Sequence, residues 1–319
     1  MLRNPSHDPG AVPRPDHSAR AFHESLPGYA PTPVHDLGGG VLVKDESHRL
    51  GLPAFKVLGA SWAIERAVRA RPELHTLVAA SAGNHGRAVA HEAARRGLRG
   101  RVFLPARSAA ARREAIASEG AEIVVVEGTY EDARAQAEQA AEEPGVAEIA
   151  DAGSSQPARD VIDGYATLFA EAAEQAEFDT ILVPVGVGSL AAAAARFAAA
   201  AGVRVIGVEP VTAACLTASL AAGEPAVVPT PGTNMAGLDC AEVSAAAWPS
   251  LRAGLAGTIT VSDAEAREAM RELAAAGLKI GDSGAAALAA LRKEGIGGRA
   301  LVIATEGVTD PESYGRTVG

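Results

Sequence analysis

The chain has 319 residues, of which 48% are hydrophobic and 21% are charged, and its formal net charge is -10. This composition is typical of a globular protein with one large or two medium domains, and the negative charge argues against nucleic acid as the main partner. Two cysteines are too few for a disulfide framework and favour a reducing compartment, so we expect a cytoplasmic protein.

The N-terminal residues and the lengths of the apolar runs also indicate a globular protein without a membrane span. No apolar run reaches the ~18 residues that a membrane span needs, so we expect no membrane partner. Residues 1–20 are rich in Pro, His and Arg and lack an apolar signal core, and we expect them to form a flexible tail. The histidines show no metal-binding spacing, so no metal site is expected.

Short β-branched runs alternate with Ala-rich stretches along the chain. The predicted strands span residues 41–44, 76–80, 101–104, 122–126, 180–185, 203–208 and 300–305. The predicted helices span residues 60–70, 85–96, 109–119, 130–141, 158–176, 190–200, 264–276 and 283–293. This alternation predicts an α/β fold with mainly parallel sheet, and the stretch 142–157, rich in Glu, Gly, Ser and Pro, is typical of a domain crossing.

In open α/β sheets, ligands bind outside the carboxyl ends of the strands, so the residues that follow each strand are informative. After the first predicted strand, Lys56 lies between Phe55 and Val57 at an apparent helix start. An apolar setting disfavours the charged form of an amine and makes it a better nucleophile. An isolated lysine would be an ordinary surface group, so this signal needs support from elsewhere.

Two loops give that support. The loop 81–86 follows a strand and opens a helix, which suits a carboxylate because helix N-termini carry unpaired N–H groups. Ser81 or Asn84 could instead be a simple N-cap, and for Asn84 taken alone the N-cap is the favoured interpretation. The glycine loop 186–190 likewise precedes a helix and suits a phosphate. It also fits a dinucleotide-binding pattern, with Glu209 where a ribose-binding acid would stand, or a tight turn without a ligand.

Together these motifs resemble the tryptophan-synthase-β-like (fold-type II) enzymes that use pyridoxal phosphate (PLP). The combination of the lysine motif with the loop 81–86 is more specific than either glycine-rich loop and outweighs the dinucleotide interpretation. Within that fold the chain is most similar to the diaminopropionate ammonia-lyase family, from about Ala30 to Thr317. The similar blocks are residues 43–47, 54–59, 83–90, 164–165, 208–210, 214–216, 235–238, 281–285 and 304–311.

The resemblance implies a role for each of these groups. Lys56 would hold the cofactor as a Schiff base, with Phe55 beside it, and would act as the base once freed. Asp151 would match a second family carboxylate, although a surface loop carboxylate is an open alternative. The remaining implied site comprises Asn84 on the ring oxygen, Gly186, Val187, Gly188, Ser189 and Leu190 on the phosphate, Thr305 on the pyridine nitrogen, and Ser81, Ala82, Gly83, Asn84 and His85 on the substrate carboxylate.

The sequence departs from the family at Ala82, where family members carry an aspartate that serves as a base for the D-isomer. An alanine cannot carry a proton, so this departure argues against turnover of D-diaminopropionate. The chain is also shorter than family members, with losses near the N-terminus and after Asp151.

The resemblance therefore implies a PLP-dependent lyase that performs β-elimination on a small amino acid, 2,3-diaminopropionate, to give pyruvate and ammonia. The alternatives are a serine/threonine dehydratase, which Ala82 favours, a β-replacement enzyme or racemase on the same fold, and a binding protein without turnover. The family fold implies two open, mainly parallel twisted sheets flanked by helices. Residues 21–60 and 156–319 would form a large PLP-binding domain and residues 61–155 a small domain with the substrate-carboxylate loop, in a homodimer.

Overall fold

The computed structural model describes residues 1–319. The strands are β1 (Leu2–Arg3), β2 (Val34–Asp36), β3 (Val41–Asp45), β4 (Thr76–Ala80), β5 (Arg99–Pro105), β6 (Glu122–Val126), β7 (Val146–Glu148), β8 (Thr180–Pro184), β9 (Arg204–Pro210), β10 (Gly257–Val261) and β11 (Ala300–Ala304). The helices are α1 (Ser18–Glu24), α2 (Lys56–Ala70), α3 (Asn84–Arg95), α4 (Ala110–Ala117), α5 (Tyr130–Ala140), α6 (Gln156–Gly164), α7 (Ala166–Gln175), α8 (Ser189–Ala201), α9 (Cys215–Ala222), α10 (Trp248–Gly254), α11 (Asp263–Ala275), α12 (Asp282–Glu294) and α13 (Pro311–Val318). None of these helices combines the length and the hydropathy that a bilayer span requires.

The chain divides into two compact units. The first unit comprises Met1–Phe55 and Tyr165–Gly319, and the second is the continuous segment Lys56–Gly164. The small domain was predicted over residues 61–155, whereas the chain leaves the first unit at Phe55 and returns at Tyr165. The stretch 142–157, which was expected to mark the crossing, lies inside the second unit and contains β7.

The first unit is built on a seven-stranded sheet in the order β1-β10-β9-β8-β11-β3-β2. The five inner strands run parallel, whereas β1 and β2 pair antiparallel at the two edges. Every residue of β8 and β11 is buried, as expected for parallel strands that are covered on both faces. The carboxyl ends of β8 and β11 therefore reach the same edge of the sheet.

The first unit contains a cluster of four buried charged side chains. It comprises Lys44, Glu46, Arg49 and Glu171, each at most 1% exposed. Arg49 bonds Glu46 Oε1 through Nη2 at 2.6 Å and Glu171 Oε1 through Nη1 at 2.8 Å, and Lys44 Nζ lies 2.8 Å from Glu171 Oε2. Two cations thus balance two anions, which is the condition under which charges can be buried.

The second unit is built on a four-stranded sheet in the order β6-β5-β4-β7, and every pair is parallel. Helices α2 and α6 pack closely against each other. Their approach depends on Gly164, since a Cβ there would lie only 2.6 Å from Leu58 O. With its two open, mainly parallel sheets and flanking helices, the structure confirms the predicted fold class.

The N-terminal residues differ from the expected flexible tail. Leu2 pairs with Thr258 as β1 joins the sheet edge, and α1 begins at Ser18. Asn4 is buried, and its Nδ2 donates to Arg252 O and Leu255 O, each at 2.7 Å. These carbonyls lie at the end of α10, where the helix itself offers no donor. A polar side chain that satisfies them anchors the segment.

Candidate active site

A lysine–aspartate pair lies in the second unit. Lys56 is the first residue of α2, and its Nζ donates to Asp151 Oδ2 at 2.7 Å. The two side chains are only 20% and 17% exposed, so water competes little for the bond. A charge-assisted hydrogen bond of this length is among the stronger polar contacts in a protein. The structure thus joins two residues that the sequence singled out separately.

The Asp151 carboxylate is held in its ionised form. Burial alone would raise the pKa of Asp151, but its electrostatic interactions with His85 and Lys56 and the Lys56 hydrogen bond outweigh burial and hold that pKa below its ordinary value. Burial lowers the pKa of His85, so its imidazole is neutral at pH 7. Asp151 is therefore an anion that can accept but not donate a hydrogen bond, and Lys56 is the cation that it bonds directly.

His85 lies beside this pair with its tautomer fixed. Its Nε2 lies 2.7 Å from Ile149 O, and a carbonyl can only accept, so Nε2 carries the proton in the neutral ring. The other nitrogen, Nδ1, lies 3.7 Å from Asp151 Oδ2, is buried and has no hydrogen-bond partner. It is a hydrogen-bond acceptor next to a carboxylate, which is a favourable setting for an incoming donor.

The loop 81–85 connects β4 to α3. Gly83 has extended backbone geometry and precedes the first helical residue, Asn84, while Ser81 Oγ accepts a hydrogen bond from Gly83 N at 3.3 Å. A Cβ at Gly86 would collide with Ser81 O, so the loop folds directly over the first turn of α3. Ser81, Ala82 and Asn84 are partly exposed and Gly83 is exposed, which leaves the start of α3 open to an anion.

A cavity of about 280 Å³ opens in the second unit beside His85 and Asp151. Its other lining side chains include Tyr130, Arg134 and Glu138 of α5 and Glu148, the last residue of β7. Sequence reasoning missed Glu148. The signal that could have found it is an acidic residue at the carboxyl end of a short strand, but β7 itself was not predicted.

The glycine loop 186–190 lies in the first unit, between β8 and α8. Gly188 has φ +92°, and a Cβ there would lie 2.6 Å from Leu251 Cδ1. A Cβ at Gly186 would lie 2.8 Å from Gly237 O. Both positions therefore admit only glycine, and the bare backbone leads into a helix N-terminus that begins at Ser189. This is the geometry that binds phosphate.

Thr305 and Phe55 lie close together in the same unit. Thr305 follows β11 and is 5% exposed, and its carbonyl accepts a hydrogen bond from Phe55 N at 3.3 Å. The Phe55 ring lies 4.8 Å from the Tyr165 ring, centroid to centroid. Because β8 and β11 are parallel neighbours, Thr305 and the loop 186–190 lie at the same edge of the sheet.

The dinucleotide interpretation of the glycine loop is wrong. Glu209 is fully buried, and its carboxylate accepts hydrogen bonds from Leu216 N at 2.7 Å and Thr217 N at 2.8 Å. It also accepts one from the Thr217 hydroxyl at 2.7 Å. These bonds cap the start of α9, so Glu209 has no access to a ribose.

Comparison with known proteins agrees with the geometry. The profile of the family described as "Pyridoxal-phosphate dependent enzyme" matches residues 26–306. The diaminopropionate ammonia-lyase of Salmonella typhimurium is 32% identical over 93% of this chain and 90% of its own length. The biosynthetic L-threonine dehydratase of Escherichia coli is 31% identical over 79% of this chain and 49% of its own length.

A solved structure extends the likeness to three dimensions. It is that of diaminopropionate ammonia lyase from Escherichia coli, in complex with an aminoacrylate-PLP azomethine reaction intermediate. The two folds superpose with a TM-score of 0.90 at 30% sequence identity, covering 100% of this chain and 97% of that one. The chain therefore belongs to the pyridoxal-phosphate-dependent enzymes of fold type II, and within them to the family of diaminopropionate ammonia-lyase.

Proposed function

We propose that this enzyme eliminates ammonia from L-2,3-diaminopropionate, giving pyruvate and ammonia after hydrolysis. The observation that carries the proposal is the 2.7 Å bond between Lys56 Nζ and Asp151 Oδ2. An amine that is paired with a fixed carboxylate at a helix start can form a Schiff base with an aldehyde and, when free, can accept a proton as a base. The similar ammonia-lyases give the reaction class.

The residues that would hold PLP fit it. The loop 186–190 suits a phosphate because its glycines leave the backbone N–H groups uncovered by side chains at the start of α8. Lys56 would hold the aldehyde carbon, Asn84 the ring oxygen and Thr305 the pyridine nitrogen, with Phe55 beside the ring. A neutral hydroxyl at position 305 would leave that nitrogen unprotonated. When bound, the cofactor supplies an electron sink next to the substrate's Cα.

The chain's own groups handle substrate and protons. The N–H groups at the start of α3, in the loop from Ser81 to His85, would bind the substrate carboxylate. The Lys56 amine would remove the proton from Cα. The bond from Cβ to the side-chain ammonium nitrogen then breaks, and its electron pair leaves with the nitrogen as ammonia. Asp151, held as an anion, would orient Lys56 by accepting its hydrogen bond. Ala82 offers no proton donor or acceptor on its side chain, so we expect the D-isomer to be a poor substrate.

A second candidate function is serine or threonine dehydration. Ala82 and the similarity to threonine dehydratase favour it. Parallel assays of 2-oxo acid release from L- and D-diaminopropionate, L-serine and L-threonine separate the two. Oxo acid from L-diaminopropionate supports the lyase, and oxo acid from serine or threonine alone would move the enzyme to the dehydratases. Formation of a new amino acid with an added thiol would indicate β-replacement, and α-proton exchange in D₂O without product would indicate racemisation.

The Lys56→Ala variant tests the cofactor assignment. We expect it to lose the visible absorbance of covalently bound PLP and nearly all activity, because no other amine in the motif can replace Lys56. The control is Lys279→Ala, which removes an exposed lysine and should change neither property. A Lys56→Ala protein that keeps both the absorbance and full activity would overturn the assignment.

We also propose that the first unit binds the cofactor's phosphate, that the second carries the substrate-carboxylate loop, and that the enzyme is a cytoplasmic homodimer. Support comes from the positions of the loops 186–190 and 81–85 and from the family resemblance. Sedimentation velocity of the PLP-loaded protein tests the oligomeric state, and a monomer at micromolar concentration would contradict it.

A further inference from the structure

The cavity beside Asp151 contains a carboxylate that the proposed mechanism does not use. Glu148 ends β7, is partly buried and lines the cavity, yet its side chain forms neither a hydrogen bond nor an ion pair within the chain. Partly buried carboxylates normally have a partner, because removing a charge from water is costly. An unpaired one that faces a cavity is a reason to look for a ligand.

The charges around the cavity favour a cation. Three carboxylates, those of Glu138, Glu148 and Asp151, line it. Its only arginine or lysine, Arg134, is 47% exposed and pairs with Glu138 at 3.8 Å, which leaves Glu148 uncompensated. Burial and the negative charge of Glu138 raise the pKa of Glu148 to about 7. A positive ligand would relieve this repulsion and restore the ionised form of Glu148.

His85 provides an independent sign of a ligand. It is 3% exposed and lines the same cavity, and its Nδ1 has no hydrogen-bond partner. Because Nε2 is committed to Ile149 O, the neutral ring offers an acceptor at Nδ1. A ligand that satisfies both this acceptor and the carboxylates must carry positive charge and N–H donors, which describes a protonated amine.

The proposed function gives a further reason to expect a protonated amine in this cavity. In the described structure the Lys56 ammonium neutralises Asp151. Once Lys56 is bound to the cofactor, or freed as the neutral amine that acts as the base, it would no longer supply this positive charge to the largely buried Asp151. An ammonium group on the substrate's side chain is the charge that could replace it.

We propose that the cavity lined by His85, Glu138, Glu148 and Asp151 is a subsite for the side-chain ammonium group of the substrate, and that Glu148 selects amine-bearing over hydroxyl-bearing side chains. This rests on the proposed function in one respect, that the substrate is an amino acid bound beside Lys56. The cavity volume of about 280 Å³ exceeds that of one ammonium group. Longer side chains that end in an amine should therefore also bind.

The test compares two amino acids of equal length that lack an amine or hydroxyl at the β position. L-2,4-diaminobutyrate and L-homoserine differ only in the terminal group, and their dissociation constants are measured from the absorbance change of the PLP-loaded enzyme. We expect the wild type to prefer the diamine, and Glu148→Gln to weaken diamine binding by about ten- to a hundredfold without affecting homoserine. Glu142→Gln, an exposed neighbour outside the cavity, is the matched control and should keep the preference.

A second measurement is independent of amino-acid binding. Trimethylammonium chloride supplies one N–H donor on a cation that cannot condense with the cofactor's aldehyde. Compared with sodium chloride at equal ionic strength, it should raise the Tm of the PLP-loaded wild type and of Glu142→Gln, but not that of Glu148→Gln.

The outcomes separate the two proposals. If Glu148→Gln keeps the diamine preference, or loses affinity for both amino acids equally, the subsite is wrong. If neither amino acid changes the cofactor's absorbance, the trimethylammonium measurement alone decides the subsite, and oxo-acid release from L-diaminopropionate separately decides the proposed function. A trimethylammonium effect that is absent in the wild type or unchanged in Glu148→Gln would also overturn the subsite.

Discussion

The fixed negative charge of Asp151 orients the Lys56 amine. Its carboxylate lies 2.7 Å from Lys56 Nζ, and its interactions with His85 and Lys56 lower its pKa, so it is an acceptor for a proton-carrying amine. A group of this kind controls where the amine points and when it is charged. Both properties matter to a base that must meet a Cα–H bond in one orientation.

We expect Asp151→Asn to lower kcat by about a hundredfold or more, which is the range for loss of a group that assists proton transfer. The asparagine keeps the size of the side chain but removes the charge that orients Lys56. Steady-state kinetics with diaminopropionate measure the effect, with Glu142→Gln as the unaffected control. An unchanged kcat would show that Asp151 is a structural partner only.

Glu148 has an effect on stability that follows from its pKa. That pKa is raised from 4.5 in the unfolded chain to about 7. Between these values the folded state keeps a proton that the unfolded state has lost, so the contribution of this group is full below pH 4.5 and is lost as the pH rises through 7. Ionisation of Glu148 therefore lowers the free energy of unfolding of the wild type at higher pH, and Glu148→Gln lacks this effect.

We expect the Tm of Glu148→Gln to exceed that of the wild type by more at about pH 8 than at about pH 5. Differential scanning calorimetry at both values measures the difference. A difference that does not change with pH would mean that Glu148 ionises as an ordinary exposed carboxyl group.

At this scale, the sequence pointed to some residues of the site and missed others for physical reasons. Lys56, the loop 81–86 and the loop 186–190 are recognisable because their chemistry depends on neighbours along the chain. The contact between Lys56 and Asp151 joins residues 95 positions apart, and spacing alone cannot specify it. Glu148 was missed because its significance lies in a cavity that α5 completes.

Among the elements, long and strongly patterned segments were predicted best. Strands β4, β8 and β11 lie within one residue of their predicted bounds, because a buried apolar run is an unambiguous signal. Strands β1, β2 and β7 were missed because two or three residues are too few to show an alternating pattern. Strand β10 was missed because only two of its five residues are aliphatic. The helix expected over 158–176 is in fact two helices, α6 and α7, which meet at Tyr165.

The break between α6 and α7 is linked to a close contact, which gives a prediction for Gly164. We expect Gly164→Ala to destabilise the protein by about 1–3 kcal/mol, because the new methyl group would press on Leu58 O and Gly59 Cα across the α2–α6 contact. Urea unfolding measures the change. Gly297→Ala, at an exposed glycine with open space for a Cβ, is the control, and an equal loss in both variants would contradict the packing argument.

At the scale of the whole molecule, the buried charge cluster connects distant parts of the chain. Lys44, Glu46 and Arg49 lie near one another in sequence, whereas Glu171 comes from α7. Removing one member leaves a buried charge without compensation. We therefore expect Glu171→Gln to lower the free energy of unfolding by about 3–5 kcal/mol, measured by urea unfolding. Glu174→Gln, whose carboxylate pairs with Arg20 at the surface, should lose little; equal losses would contradict the argument.

The same cluster predicts how acid unfolds the protein. Hydrogen bonds and positive charge from Arg49 and Lys44 outweigh the effect of burial and lower the pKa of Glu171 to about 2. Its stabilising contribution is complete above pH 4.5 and is lost as the pH falls through 2. The Tm should therefore fall over this range in the wild type and fall less in Glu171→Gln. Parallel curves for the two proteins would show that other carboxylates dominate.

The second unit is a single uninterrupted insertion into the first. The chain departs at Phe55 and returns at Tyr165, and the rings of these two residues are 4.8 Å apart. An insertion whose two ends are neighbours can be lengthened, exchanged or cut out with a short linker without stretching its host. One continuous segment carries Lys56, the carboxylate loop and the Glu148 cavity. Replacing that segment as a unit during evolution would transfer substrate preference from one relative to another.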